Sequence, residues 1–137
     1  MDNQNLWPEF SASSTKSAKE ILEKQAEFLP EQTNNLLYAE IPAIDMDNFT
    51  RYDYDLGYQF LIRSKLMDRY RFEMFSIYHN IVLYPVFVRL DRDIKTELDY
   101  EGSIHIHSEE EFVEFLRKVF SSSKVKNVIG SLMKLSN

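Results

Sequence analysis

The stretch YDYDLGYQFLIR, residues 52–63, decides the fold of this chain. Every even-numbered position in it is apolar or aromatic, and most of the odd positions are polar or glycine. A period of two is typical of a β-strand with one buried and one solvated face. We therefore predict a long strand over residues 49–63, with Tyr52, Tyr54 and Tyr58 on its buried face.

Helix signals lie on both sides of this strand. Ser14 or Thr15 is a suitable N-cap for a first helix, which we expect to end at Pro30. Ser-Glu-Glu-Glu at 108–111 matches a capping box and predicts a second helix. The serines at 121–123 should separate that helix from a third one, which ends the chain.

Further strands are predicted from β-branched and aromatic content and from alternation. We place them at residues 36–44, 69–80 and 81–90, followed by a hairpin of 94–98 with 103–107. Pro85 falls within a predicted central strand, where proline is disfavoured, so we expect a β-bulge there.

A run of strands between helices indicates an α+β protein. We predict a single α+β domain over residues 1–137, with a mostly antiparallel, curved sheet of four to six strands. One N-terminal helix and two C-terminal helices should pack on that sheet. Residues 1–13 contain an apolar cluster around Pro8 but no helix or strand pattern, and we predict an irregular N-terminal arm.

The composition excludes several classes of protein. The chain has 137 residues, is 44% hydrophobic and contains no cysteine, which rules out disulfides and thiolate metal sites. Three glycines leave no room for a glycine-rich phosphate loop. The N-terminus is polar and acidic and does not resemble a signal peptide, and the apolar runs are too short to span a membrane. We expect a soluble cytoplasmic protein.

The net charge of −6 is concentrated at one end of the sequence. Residues 1–50 carry nine acids and three bases, whereas acids and bases balance in the remainder. Negative charge opposes binding to nucleic acid and to anionic membranes. The pattern favours a protein partner, and a basic one in particular, although an acidic surface also serves solubility alone. A homo-oligomer is left open.

Four apolar residues lie in predicted irregular segments, outside the periodic patterns that form the core. Trp7 and Phe10 lie in the irregular arm, and Leu66 and Met67 lie in the connection after the long strand, between charged neighbours. Exposed apolar side chains at such positions suit a protein partner. They can equally fold back onto the core, and the sequence leaves both outcomes open.

A second hypothesis uses the tyrosine-rich strand as a pocket. A curved sheet lined by Tyr52, Tyr54 and Tyr58 could enclose a small molecule, with Asp53 or Asp55 as an acid or base. A plain core with two solvated aspartates is the simpler interpretation of the same pattern.

His105 and His107 share one face of a predicted strand and could provide two ligands to a metal ion. A third ligand is not apparent, so we treat them as weak metal candidates and expect no cofactor. No pattern of nucleophile and base is present, and we assign no catalytic residue.

The leading hypothesis is a non-enzymatic, cytoplasmic protein-binding module, such as an immunity protein, an antitoxin or inhibitor, or an accessory subunit of a larger complex. The alternative is a small-molecule-binding pocket protein, or a small hydrolase or isomerase, that uses the tyrosine-lined concavity.

Overall fold

A computed structural model of the protein describes residues 3–48 and 54–136. In these ranges the strands are β1 Leu37–Glu40, β2 Leu56–Ser64, β3 Arg71–His79, β4 Val86–Leu90 and β5 Ile104–Ile106. The α-helices are α1 Ala18–Gln32, α2 Arg92–Glu97, α3 Glu109–Phe120 and α4 Ser123–Leu135, and a 3₁₀ turn covers Met46–Asn48.

The five strands form one open sheet in the order β1-β2-β3-β4-β5. Each strand pairs antiparallel with its neighbour in the sequence, and α2 lies within the β4–β5 connection. The prediction of an α+β fold with an antiparallel sheet, one N-terminal helix and C-terminal helices is confirmed. The sheet is not closed into a barrel.

One face of the sheet carries the core, and we call it the helix-covered face. Residues that pair directly across an antiparallel sheet point to the same side. Phe60 pairs with Phe75, and its ring also stacks on Phe120 of α3. From the helices, Leu22, Phe112 and Val125 join the same buried cluster. Removing these side chains from water supplies the main driving force for the fold.

The opposite side, which we call the open face, is less solvated than the alternation predicts. Gln59 and Arg63 are half-buried, as expected for residues near water, but Leu61 is only 4% exposed. Gly57 is buried because Met46 and Tyr78 cover it; a Cβ at Gly57 would lie 2.9 Å from each of them. The predicted wet face is therefore only partly solvated, because Gly57 and Leu61 on that face are buried.

The first helix begins and ends later than predicted. Ser17, not Ser14 or Thr15, is the N-cap of α1, and it forms a capping box with Glu20. The helix continues to Gln32 because the N–H groups of Thr33 and Asn35 both donate to the carbonyl of Pro30 and close the last turn. The proline therefore lies inside the final turn.

Two predicted strands are corrected. Residues 94–98 lie mostly in helix α2 because the carboxylate of Asp91 accepts hydrogen bonds from the N–H groups of Asp93 and Ile94, and Ile94 is buried as part of that helix. Residues 81–85 form a loop, and β4 starts only at Val86. The register shift of the sheet lies between Phe60 and Leu61, not at Pro85.

Candidate partner-binding surface

The N-terminal arm is anchored at Lys16, where three elements meet. The Lys16 N–H donates to Glu109 Oε1 at the start of α3 (2.8 Å), and the Lys16 carbonyl accepts from the Tyr84 hydroxyl (2.9 Å). Tyr84 belongs to the β3–β4 loop. The arm therefore leaves the domain beside this loop and beside the first turns of α1 and α3.

Acidic side chains surround this anchor. Burial and then the negative charges of Glu109, Glu110 and Glu20 raise the pKa of Tyr84 to about 12. Both helices present glutamates in their first turn, where the positive end of the helix dipole stabilises them. Lys16 and Lys19 are basic residues of the same region.

Beyond the anchor the arm exposes its largest side chains. Residues 3–13 form no helix or strand, and Leu6, Trp7 and Phe10 are 84%, 75% and 75% exposed. The rings of Trp7 and Phe10 lie 6.1 Å apart and pack only loosely against each other. Large aromatic groups that stay in water are unusual, because each could bury well over 100 Å².

The β3–β4 loop, which contacts the root of the arm through Tyr84, exposes two further apolar side chains. Ile81 is 74% exposed and Val82 is 72% exposed. Asp55 holds the loop in place, since its Oδ2 accepts from the Ile81 N–H (3.0 Å) and its own N–H donates to Asn80 Oδ1 (3.2 Å). We call Leu6, Trp7, Phe10, Ile81 and Val82 together the arm surface.

The two other partner candidates from the sequence lie elsewhere. Leu66 and Met67 belong to the β2–β3 connection, which is at the end of the sheet opposite to the β3–β4 loop. Leu66 is 68% exposed, whereas Met67 is half-buried and packs against the core. The structure therefore does not bring these residues together with Trp7 and Phe10.

The tyrosines of the long strand do not share a face. Tyr54 stacks on Phe87 of the open face, with ring centroids 5.8 Å apart. Tyr58 lies on the helix-covered face, where the ammonium of Lys19 is 5.0 Å from its ring centre. Tyr52 and Asp53, the other two residues of the predicted pocket, lie outside the described residues.

A groove of about 600 Å³ does exist on the open face. Its lining includes Gln59, Glu73 and Ser76, and Glu73 Oε1 accepts from Gln59 Nε2 (3.3 Å) and from Ser76 Oγ (2.5 Å). Glu73 is exposed, and no carboxylate within residues 3–48 and 54–136 is buried. The groove thus has polar walls but lacks a desolvated acid or base among the described residues.

His105 and His107 are both exposed on β5 and just after it. The ring of His105 packs on Phe87, with centroids 5.5 Å apart, and the backbone N–H of His107 donates to Glu111 Oε2. Among the residues that the structure describes, no group of three or more histidines, aspartates and glutamates is arranged to hold a metal ion. The pair therefore remains a weak metal candidate, and the absence of tight metal binding stays a prediction.

Sequence reasoning missed Ile81 and Val82 as surface residues, because their β-branched side chains fit the pattern of a central strand. Asn80 and Pro85 bracket them, and both are residues that commonly bound a loop. If these two residues had been taken as loop boundaries, the sequence would have predicted a loop between them and not a strand.

No protein-family model matches the chain, and neither the curated proteins nor the solved structures contain a match to it. No helix in the described ranges has the length and apolar character needed to cross a membrane.

Proposed function

We propose that this protein is a non-enzymatic, cytoplasmic protein-binding module that engages a basic protein through the arm surface. An immunity protein, an antitoxin or inhibitor, or an accessory subunit fits this description. The observation that carries the proposal is the exposure of Trp7 and Phe10, each 75% exposed on an arm anchored to the domain at Lys16. Aromatic anchors of this kind provide much of the free energy of protein association.

The charges around the anchor support a basic partner. Glu20, Glu109 and Glu110 lie close enough to Tyr84 to raise its pKa, so their negative field extends over the root of the arm. Such a field accelerates encounter with a positively charged protein and discriminates against acidic ones. The apolar groups would then provide affinity, and the glutamates would provide rate and selectivity.

The alternative of a catalytic or ligand pocket has less support. It requires the tyrosines at 52–58 to line one concavity, but Tyr54 and Tyr58 lie on opposite faces. It also requires an aspartate poised for proton transfer, whereas Asp55 is exposed and bonded to the backbone of Ile81.

The test is affinity capture from an extract of the native host with matched variants. Trp7→Ala with Phe10→Ala removes both arm aromatics, and Leu66→Ala removes an equally exposed apolar group from the opposite end of the domain. We expect the double variant to lose the captured protein and Leu66→Ala to retain it. Both variants should melt like the parent, because none of the three side chains is buried.

The captured protein is then purified, and its association rate is measured at increasing ionic strength. We expect a basic protein whose association rate falls as salt screens the glutamates. Capture that survives loss of both aromatics, or a rate that is insensitive to salt, contradicts the proposal.

A further inference from the structure

Residues 37–44 continue the edge of the sheet beyond β1, and we call them the edge segment. Ala43 pairs with Tyr58 in the same register that pairs Leu37 with Ser64. Hydrogen bonds to β2 confirm the register, since the Gln59 N–H donates to the Pro42 carbonyl (3.0 Å) and the Ile44 N–H to the Gly57 carbonyl (2.8 Å).

The register determines which backbone groups of the edge segment face away from the sheet. In an antiparallel pair, alternate residues direct both N–H and C=O toward the partner strand. Pro42 and Ile44 bond to β2, so Ala39, Ile41 and Ala43 direct their N–H and C=O groups outward. The described residues supply no hydrogen bond to these outward groups.

An unpaired edge normally carries features that prevent another strand from adding to it, such as lysine, an outward-facing proline, a bulge or a very short length. The edge segment contains no lysine, and the charge of its one acidic residue, Glu40, is paired with Arg63 of the same chain. Its open outward residues are alanine and isoleucine. Pro42 occupies an inward position, so its missing N–H leaves the outward edge intact. The opposite edge, β5, has only three residues and is protected by its length.

Only at the start of the edge segment does an outward backbone group have a hydrogen-bond partner among the described residues. The hydroxyl of Thr33 accepts from the Leu37 N–H (3.2 Å) and lies over the outward side of Leu37, while its own proton is directed to the Leu29 carbonyl (2.9 Å). From Ala39 onward the residues are half-buried or exposed, and Ala43 is exposed. The open part of the edge therefore runs over three outward residues.

We propose that the edge segment pairs antiparallel with the edge segment of a second copy of this chain, around a two-fold axis at Ile41. Ile41 then faces Ile41, and Ala39 faces Ala43. Each of these outward pairs exchanges two N–H···O bonds, and the two sheets join into one. The inference is independent of the function proposed for the arm surface.

Side-chain charge and the extent of the edge segment together favour this register. With the axis at Ile41, Glu40 lies opposite Pro42 of the second copy, and Arg63 of its own chain neutralises it at 2.7 Å. Moving the axis to Glu40 would place Glu40 opposite Glu40, and like charges across a strand pair are destabilising. Moving the axis to Pro42 would create no charge conflict but would place Ala39 opposite Asp45, outside the edge segment. Of these three registers, only the one with the axis at Ile41 avoids the charge conflict and pairs Ala39, Ile41 and Ala43 with one another.

The experiment combines sedimentation velocity with amide hydrogen exchange on the full chain over a range of concentrations. We expect a species of twice the 16.3 kDa chain mass at high concentration. The amides of Ala39, Ile41 and Ala43 should exchange more slowly as this species forms. The amides of Tyr38 and Glu40 face β2, and their exchange should not change with concentration.

Two adjacent proline changes provide a matched pair of variants. Ala43→Pro removes an outward N–H and should abolish the dimer, whereas Pro42→Ala restores an inward N–H and should retain it. Thermal melts check that both variants fold. If Ala43→Pro does not fold, amide hydrogen exchange of the parent chain still tests the proposed dimer. A chain that stays monomeric, or a dimer without slowed exchange at these three amides, overturns the inference.

Discussion

Replacing Phe60 by alanine tests the register of the long strand on which the fold depends. The Phe60 side chain is only 3% exposed, and its ring lies between those of Phe75 (5.3 Å) and Phe120 (6.0 Å). A buried phenylalanine removes ~150–200 Å² from water, which at ~25 cal/mol/Å² corresponds to about 4–5 kcal/mol. Phe60 also borders a groove of about 310 Å³ between α1 and α4, into which its neighbours can relax. We therefore expect a loss of about 4 kcal/mol in the free energy of unfolding.

The matched control is Gln59→Ala, one residue away on the open face. That change removes a 3.3 Å hydrogen bond to Glu73, which keeps its bond to Ser76. The expected loss is below about 1 kcal/mol, because the bond lies at a solvated surface. Urea titrations of both variants measure the difference through the transition midpoint at an unchanged slope. Equal losses at Phe60 and Gln59 would refute the assignment of the two faces.

Three further predictions address other parts of the molecule. Gly57→Ala should destabilise the protein by about 1–3 kcal/mol in the same titration, because the new Cβ would lie 2.9 Å from Met46 and Tyr78; an unchanged midpoint would contradict this crowding. The pKa of Tyr84 is raised from 10.0 to about 12, so its contribution to stability is complete below pH 10 and is lost as the pH rises toward 12. Solvent screening of this half-buried group limits that loss to about 1 kcal/mol, and Tyr84→Phe should remove this part of the pH dependence of the melting temperature. Zinc should produce no thermal shift that His105→Ala abolishes, and stoichiometric zinc binding that is lost in this variant would establish a metal site instead.

Elements with both a periodic pattern and a local start signal could be predicted from the sequence. The Ser108 side chain accepts from the Glu111 N–H and starts α3 at the predicted place, although the Glu111 side chain accepts from the His107 N–H and not from Ser108. The alternation in β2 places Phe60 and Ile62 in the core. In these segments, local hydrogen bonding and side-chain periodicity favour the same conformation as the tertiary packing.

The failures occur where a short apolar pattern fits two structures. Residues 94–98 alternate like a strand, but the Asp91 side chain caps helix α2 in this place. Ile94 is buried as a residue of that helix. Ile81 and Val82 are β-branched, yet both side chains are largely exposed in the loop. Periodicity over five residues cannot distinguish these cases, because the deciding features, such as the Asp91 cap, lie outside the periodic run itself.

The arm could be predicted from the sequence only in part. Pro8 and the absence of periodicity predict an irregular segment around Trp7 and Phe10, but they do not show where the arm is attached. The anchor depends on Glu109 and Tyr84, which are 93 and 68 residues from Lys16 in the sequence. Contacts at such separations follow from the topology of the sheet and not from local propensity.

The most direct test of the proposed function compares the full chain with a variant that lacks residues 1–13, in titration calorimetry with the purified partner and in a thermal melt. The truncation retains Lys16 and Ser17, and therefore both the anchor and the N-cap of α1. We predict a loss of affinity of at least about tenfold, equivalent to ~1.4 kcal/mol, with an unchanged melting temperature. Unchanged affinity would contradict a role for the arm in binding, and a large fall in the melting temperature would show that Trp7 and Phe10 belong to the core of the domain.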